Sequence, residues 1–342
     1  MLVSFLFLGL ALVLAGCDRG GDELRDMRRF SGSTMGTYYS ITVVAEEGEE
    51  LTLDEHELLE AIDAKFVLIN EHMSTYIDDS ELMMLNAAPV GEWLDLSEPM
   101  ARVLAVSEKV SERSEGRFDI TVMPLVNLWG FGPDPSVAEP PPAEAIEERL
   151  DQLGFRYLEL DGEHHRLRKN RAVTMDLSGV AKGYGADWMG EFLASQGFDN
   201  YLVEIGGDIA ASGVSARGDA WRIAIEQPSQ LQQQVRAIVN LSDVGLATSG
   251  DYRNYFERDG RRYSHTIDPL TGYPIDHRLA SVSVIAPTAA EADAWSTAIM
   301  VAGPDAGMAL AELEQLAIYM IIRDGDDYTD RFSSAFSAYL EE

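Results

Sequence analysis

Two periodicities of apolar residues run along the chain and predict both helices and strands. Apolar residues three and four positions apart are typical of amphipathic helices, whereas alternating β-branched and aromatic residues are typical of strands. Helices are predicted at residues 54–70, 98–112, 143–153, 186–196 and 288–302. A strand preceded by a turn at Gly36 is predicted within residues 31–45, and further strands at residues 200–209, 221–226, 235–241 and 317–323. Hairpins are predicted at residues 157–173 and 252–263. The small residues 245–251 are predicted to form a loop.

The first residues form an unbroken apolar run that ends in Leu-Ala-Gly-Cys. Its length suits the core of a signal peptide better than a bilayer-spanning helix. Since the pattern is typical of a bacterial lipoprotein, residues 1–16 are predicted to be a signal peptide and Cys17 the lipidated residue. Residues 17–30 then form a flexible tether and residues 31–342 the folded domain. Asp18 indicates an inner-membrane lipoprotein on the periplasmic side. An ordinary cleaved signal would leave the single cysteine unexplained.

The charge balance of the chain narrows the classes of ligand. Its 342 residues include 58 acidic and 26 basic ones, which gives a formal net charge of -32. This balance argues against nucleic-acid binding, which needs concentrated lysine and arginine. A phosphate ligand held through a metal ion remains compatible with it. With one cysteine, the chain has no disulfide framework and no cysteine-based metal site.

The stretch at residues 175–187, MDLSGVAKGYGAD, combines a turn, three glycines and one lysine where a helix is predicted to begin. Exposed backbone amides at a helix start favour phosphate, and Lys182 adds a positive charge. The spacing matches neither the dinucleotide-binding motif nor the P-loop motif. The alternative, in which the glycines serve only close packing, is about equally well supported.

Two single residues are further candidates for chemistry. His265 lies at a strand end that enters a constrained loop, where a histidine can act as a general base. A structural role is the usual alternative for a lone histidine. Asp119 interrupts an apolar run and therefore needs a specific partner, which is either a backbone cap or a ligand.

The predicted helix at residues 288–302 begins with a capping box and carries oxygen donors on one face. Asp293, Ser296 and Thr297 stand at positions i, i+3 and i+4 of that face. One carboxylate and hydroxyls, with room for water or phosphate, suit Mg²⁺. By spacing alone the alternative is stronger: the hydroxyls bond to carbonyls one turn earlier, and Asp293 is a solvated charge.

Seven stretches in the right order resemble the ApbE family of flavin transferases. They are residues 35–37, 72–76, 118–132, 176–187, 203–209, 264–274 and 292–298. One such match would mean little, but the ordered set is specific and spans nearly the whole of the predicted domain.

The resemblance implies an α+β fold, a single domain of two lobes with FAD bound between them. It implies Mg²⁺-dependent transfer of FMN from FAD to a threonine or serine hydroxyl of an acceptor flavoprotein, with release of AMP. The acceptors implied are subunits of membrane redox complexes. The residues implied to line the FAD site are Met35, Tyr76, Phe118, Asp119, Asp176, Lys182 and Ile267. The residues implied to hold the metal are Gly179, through its carbonyl, Asp293, Ser296 and Thr297. His265 resembles the catalytic histidine of the family.

The residue chemistry agrees with this activity. A hydroxyl that attacks a pyrophosphate needs a base, which His265 can supply, and a cation, because Lys182 alone cannot offset the nearby carboxylates. One alternative is a Mg²⁺-dependent FAD pyrophosphatase, in which water replaces the hydroxyl and FMN and AMP are released. Another is a non-catalytic FAD-binding lipoprotein, which would not require His265 or the metal-binding face.

Overall fold

A computed structural model describes residues 24–133, 139–228, 234–251, 254–325 and 327–341. Residues 1–16 and Cys17, the predicted signal peptide and lipidated residue, lie outside the described residues. Within the described ranges, no helix combines the length and the apolar character needed to cross a membrane.

The strands build one large antiparallel sheet and three small ones. They are β1 Met27–Thr34, β2 Thr37–Val44, β3 Trp93–Asp95, β4 Leu158–Asp161, β5 Arg166–Lys169, β6 Asn200–Ile205, β7 Asp208–Ser212, β8 Trp221–Glu226, β9 Val235–Leu241, β10 Val244–Gly250, β11 Tyr255–Arg258, β12 Arg261–Ser264, β13 Leu279–Ala286, β14 Ala317–Asp324 and β15 Asp327–Phe332. The large sheet has eight strands in the order β1-β2-β6-β7-β10-β13-β14-β15. The small sheets are β3-β5-β4, β8-β9 and β11-β12.

The described residues also form seven α-helices. They are α1 Glu55–Met73, α2 Glu81–Ala87, α3 Glu98–Arg113, α4 Met123–Leu128, α5 Ala143–Leu150, α6 Ala181–Ser195 and α7 Ala289–Glu314. Short 3-10 helices cover Ile120–Val122, Phe155–Tyr157 and Ser334–Ala338. Asp54, Ser97 and Thr288 cap α1, α3 and α7 by accepting hydrogen bonds from backbone amides of the first turn.

The two faces of the large sheet pack against different partners, because successive residues of a strand point to opposite faces. On one face Val284 of β13 shares a core with Trp295 of α7. On the other face the next residue, Ile285, shares a core with Val239 of β9. The helices α6 and α7 therefore cover one face of the sheet, and the β8-β9 pair covers the other.

Helix α7 is broken at Gly303, whose φ is 78°. Pro304 follows, and since proline has no amide hydrogen, the Met300 carbonyl loses its helical partner. His277 Nε2 donates to that carbonyl at 2.8 Å. The ring also fills the space beside Gly303, where a Cβ would lie 2.7 Å from His277 Cδ2. His277 thus stabilises the break in the helix that carries Asp293.

The structure corrects the predicted tether of residues 17–30 at its C-terminal end. β1 begins at Met27 and pairs with β2, with Phe30 opposite Ile41. Phe30 is buried in the core under α1. The folded domain therefore begins before residue 31.

The loop predicted at residues 245–251 is wrong, because these residues form β10 in the middle of the large sheet. The strand passes close to the start of α7, and a Cβ on Gly245 would lie 2.2 Å from the Ala289 nitrogen. The small residues that resemble a loop are needed for this close approach.

Helix α6 begins at Ala181, earlier than residue 186, so that Gly183 and Gly185 lie inside the helix. A Cβ on Gly183 would lie only 2.2 Å from the Ala289 carbonyl oxygen. Of the two interpretations of this stretch, close packing is therefore confirmed for Gly183.

Candidate active site

Two adjoining cavities lie beside α6 and α7. The first, of about 270 Å³, contains the aromatic side chains Tyr76, Phe118 and Phe131 beside polar and charged ones, and is called the apolar cavity below after these three rings. The second, of about 360 Å³, is lined by glycines, hydroxyls and the charged Lys182 and Asp293, and is called the polar cavity. The residues lining both are Val122, Val126, Ser178, Gly179, Asn254, His265, Ile267 and Thr297.

His265 lies on the wall shared by both cavities, directly after β12. Its Nδ1 lies 2.9 Å from the Asn254 carbonyl oxygen, and its backbone amide donates to the same oxygen at 3.1 Å. Because a carbonyl only accepts, Nδ1 carries the hydrogen and Nε2 keeps its lone pair in the neutral ring. Burial lowers the pKa of His265, although the hydrogen bond to Asn254 opposes the shift. The ring is therefore neutral near pH 7 and can accept a proton at Nε2.

Lys182 forms the positive centre of the polar cavity. Its Nζ donates to Asp208 Oδ2 at 2.6 Å and lies 3.3 Å from Asp293 Oδ2. Although burial opposes the charged form, these two carboxylates raise the pKa of Lys182 above its ordinary range. Burial raises the pKa of Asp208, with Asp293 adding to the rise and Lys182 opposing it.

Two of the predicted metal donors lie at the wall between the cavities, and a third lies in the polar cavity. Gly179 and Thr297 line both cavities, and a Cβ on Gly179 would lie 3.1 Å from Thr297 Oγ1. Asp293, one turn before Thr297 on α7, lines the polar cavity and is buried. A carboxylate, a hydroxyl and a carbonyl beside open space fit Mg²⁺, which usually keeps waters and binds substrate phosphates. Within the described ranges there is no group of three or more acidic, histidine or cysteine side chains placed to hold a metal.

Ser296 differs from the other predicted metal donors. Its Oγ donates to the Asp293 carbonyl at 2.9 Å and lies 2.8 Å from Ser249 Oγ. It is fully buried and lines neither cavity. At Ser296 the structure has the alternative arrangement, in which the hydroxyl bonds to a carbonyl of its own helix. Asp293 does not fit that alternative, because it is buried and is not a solvated surface charge.

Asp119 and Asp176 line the apolar cavity with carboxylates that already have partners in the chain. Asp119 accepts from the amides of Thr121 at 2.8 Å and Phe155 at 3.0 Å, so the backbone-cap interpretation holds. Asp176 accepts from the Ser178 amide at 2.8 Å and shapes the turn before α6.

A partly buried side-chain amide, that of Asn86, holds the segment before Asp176 in place. Asn86 Oδ1 accepts from the Met175 amide at 2.7 Å, and its Nδ2 donates to the Met175 carbonyl at 2.9 Å. The buried Lys169 in turn donates to the Asn86 carbonyl at 2.8 Å. The side chain of Asn86 therefore pairs with the Met175 backbone as a neighbouring strand would, directly before Asp176, which lines the apolar cavity.

The other residues implied to bind FAD are spread from the wall to the mouth. Phe118 and Ile267 are buried in the cavity wall, and Tyr76 is 73% exposed at its mouth. Met35 lines neither cavity; it lies in the β1-β2 turn with a φ of 50° and packs towards Gly185.

The fold and this arrangement can be compared with known proteins. A model of the ApbE family matches residues 35–321. The chain belongs to the ApbE family. A Vibrio cholerae serotype O1 relative named FAD:protein FMN transferase is 41% identical over 332 residues, which cover 97% of each chain. The structure titled Flavin Transferase ApbE from Vibrio cholerae gives a TM-score of 0.83 at 39% identity, covering 92% of this chain and 100% of that chain. The apo form of Pseudomonas stutzeri flavinyl transferase ApbE gives 0.82 at 39% identity, covering 92% and 97%.

Membership of the ApbE family confirms the resemblance and the single-domain α+β fold. Sequence reasoning missed three residues of the site: Phe131, Asn254 and Asp208. The Gly-Gly-Asp ending of the predicted strand at residues 200–209 was the available signal for Asp208. The role of Asn254 depends on its backbone carbonyl, which leaves no side-chain signature.

Proposed function

We propose that this chain transfers FMN from FAD to a threonine or serine hydroxyl of an acceptor protein and releases AMP. The observation that carries the proposal is the position of His265, which lines both the apolar and the polar cavity while its Nδ1 is bonded to the Asn254 carbonyl. The family supports it, since the similar Vibrio cholerae relative is named FAD:protein FMN transferase.

The two cavities suit the two chemical parts of FAD that matter for the reaction. The aromatic flavin ring matches the apolar cavity, with Phe118 and Ile267 in its wall and Tyr76 at its mouth. The pyrophosphate matches the polar cavity, where Lys182 supplies a positive charge. Asp119, Asp176 and Met35 would act in FAD binding mainly by shaping the surrounding backbone.

The reaction then needs one proton transfer and one exchange of bonds at phosphorus. The acceptor oxygen attacks the phosphorus of the FMN half and forms a new P–O bond, while the bond from that phosphorus to the bridging oxygen breaks and AMP leaves. His265 Nε2 takes the hydroxyl proton, and the Asn254 carbonyl holds the ring in the tautomer that can accept it.

A divalent cation completes this proposal. Gly179 through its carbonyl, Asp293 and Thr297 would hold Mg²⁺, and Ser296 would support the site by fixing the backbone of α7. When bound, the cation supplies Lewis-acid neutralisation of the pyrophosphate charge. The single positive charge of Lys182 does not offset the two adjacent carboxylates, so binding of a pyrophosphate here requires a further cation.

The proposal is tested by incubating the protein with FAD, Mg²⁺ and a tagged candidate acceptor, followed by intact-mass analysis. The expected result is an acceptor heavier by one FMN, abolished by EDTA and by threonine-to-alanine substitution in the acceptor. Release of FMN and AMP in the absence of any acceptor would favour the pyrophosphatase alternative. FAD that is bound but unchanged would favour the non-catalytic carrier and contradict the role given to His265.

The acceptor and the cellular location belong to the same proposal. An inner-membrane lipoprotein anchored through Cys17 on the periplasmic side would meet flavoprotein subunits of membrane redox complexes on that side. Globomycin-sensitive processing and labelling of Cys17 with a palmitate analogue are the expected observations. A Cys17→Ser protein that remains in the membrane fraction would contradict the anchor.

A further inference from the structure

Lys182 lies between two buried carboxylates, only one of which belongs to the proposed metal site. Its Nζ is 2.6 Å from Asp208 Oδ2 but 3.3 and 3.5 Å from the two oxygens of Asp293. Both aspartate side chains are 4% exposed, whereas that of Lys182 is 31% exposed. Asp293 and Lys182 line the polar cavity, and Asp208 does not. Asp208 therefore acts on the cavity through Lys182.

The fold holds Asp208 rigidly in this place. β6 and β7 are joined by a two-residue turn, with Ile205 paired to Asp208. Gly206 and Gly207 have φ values of 60° and 101°, as tight antiparallel turns with positive φ at both positions require. The Gly206 amide also donates to the Tyr38 carbonyl at 3.0 Å, which ties the turn to β2.

Asp293 is the target of competing groups. Its Oδ2 already accepts from the Gly183 amide at 3.1 Å, and the Lys182 ammonium lies close to both of its oxygens. A metal ion at Gly179 and Thr297 needs the same carboxylate. If Lys182 paired fully with Asp293, the ammonium would compete with the cation for it.

We infer that Asp208 is a positioning residue that neutralises Lys182 and thereby leaves Asp293 available to a divalent cation. This inference rests on the proposed function, since it takes Asp293 as a metal ligand. In this arrangement Asp208 and Lys182 form a neutral pair, and Asp293 keeps its charge for the cation. The same pair holds the ammonium at the cavity wall, within reach of phosphate oxygens.

The test is a set of variants of the full-length protein titrated with Mn²⁺, with the free ion followed by electron paramagnetic resonance and FAD at saturation for each variant. Asp208→Asn is expected to bind Mn²⁺ about 10- to 100-fold more weakly, the range typical of lost outer-shell partners. Lys182→Met removes the competitor and is expected to bind Mn²⁺ at least as tightly as the wild type. The double variant is expected to match Lys182→Met within about threefold, because the two residues act as one unit.

Asp161→Asn is the matched control, since it breaks a 2.6 Å ion pair with Arg166 in the β4-β5 hairpin, and neither residue lines the two cavities. It is expected to bind Mn²⁺ like the wild type. Unchanged binding by Asp208→Asn would overturn the inference. A double variant as weak as Asp208→Asn would do so too, because Asp208 would then act without Lys182.

Two further outcomes keep the test decisive. If Asp208→Asn does not fold, Lys182→Met is tested alone. Weaker Mn²⁺ binding by Lys182→Met than by the wild type would then overturn the inference, because removal of a competing cation should not lower the affinity for Mn²⁺. Wild-type protein that binds no Mn²⁺ would instead overturn the metal assignment in the proposed function, which is a different result.

Discussion

Replacing Gly183 by alanine is expected to force α6 away from α7, although alanine favours helices. A Cβ at this position would lie 2.2 Å from the Ala289 carbonyl oxygen and 2.9 Å from the Ala290 nitrogen. Both are backbone atoms, so no change of rotamer relieves the overlap. The Gly183 amide would also lose its 3.1 Å bond to Asp293 Oδ2. The substitution therefore disturbs both the helix contact and the candidate metal ligand.

The size of the effect follows from three terms. Overpacking costs about 1–3 kcal/mol, and loss of a hydrogen bond to a charged group costs about 1.5–3 kcal/mol. The higher helix propensity of alanine returns about 1 kcal/mol. The free energy of unfolding is therefore expected to fall by about 1.5–5 kcal/mol, a clearly destabilising core substitution.

Gly185→Ala is the matched control in the same helix. Its nearest contacts would be Ile205 Cδ1 at 3.2 Å and Met35 Sδ at 3.3 Å, which are ends of side chains that can move. Urea unfolding followed by tryptophan fluorescence is expected to place Gly185→Ala within about 1 kcal/mol of the wild type. Equal stability of the two alanine variants would refute the argument that the helix contact requires glycine at position 183.

Three other predictions follow from the site and from the break in α7. His265→Ala is expected to bind FAD normally and to lose most of the transfer activity. Because burial lowers the pKa of His265, the transfer rate of the wild type is expected to fall only at acidic pH, where the ring becomes protonated. Initial rates between about pH 5 and pH 8 check this, and a rate that still rises steeply near pH 8 would contradict it. Asn86→Ala, which removes both side-chain hydrogen bonds to the Met175 backbone, is expected to weaken FAD binding several-fold in a flavin-fluorescence titration; unchanged binding would show that this pairing does not support the cavity. His277→Ala leaves the Met300 carbonyl unpaired and should lower the free energy of unfolding by about 1–3 kcal/mol in urea; an unchanged midpoint would show that the break does not need the ring.

Local signals in the sequence were sufficient for the amphipathic helices. The helix predicted at residues 98–112 differs from α3 only at its last residue, because the apolar spacing and the Ser97 cap are properties of the segment itself. The same holds for the start of α7, where the predicted capping box has Thr288 accepting from the Glu291 amide. Such elements need no knowledge of their neighbours.

The errors arise where a distant element decides the local structure. Residues 245–250 have loop-like composition, yet they form a central strand because α7 passes too close for larger side chains. Asp208 and Lys182 are separated by 26 positions, and the packing of α6 against β7 brings them together. Ser296 shows the reverse case: the family resemblance implied a metal donor, whereas the spacing alone favoured the bond within its own helix that the structure has.

The ring of His265 is fixed at the open end of the β11-β12 hairpin, opposite its tip. The Asn254 carbonyl accepts hydrogen bonds from both the backbone amide and the Nδ1 of His265. The start of β11 and the end of β12 are therefore held together at this point. Motion or altered length at the Asp259-Gly260 tip is thereby separated from the histidine. This hairpin is a place where relatives can vary, and where an engineer can insert residues, while the proton acceptor keeps its orientation.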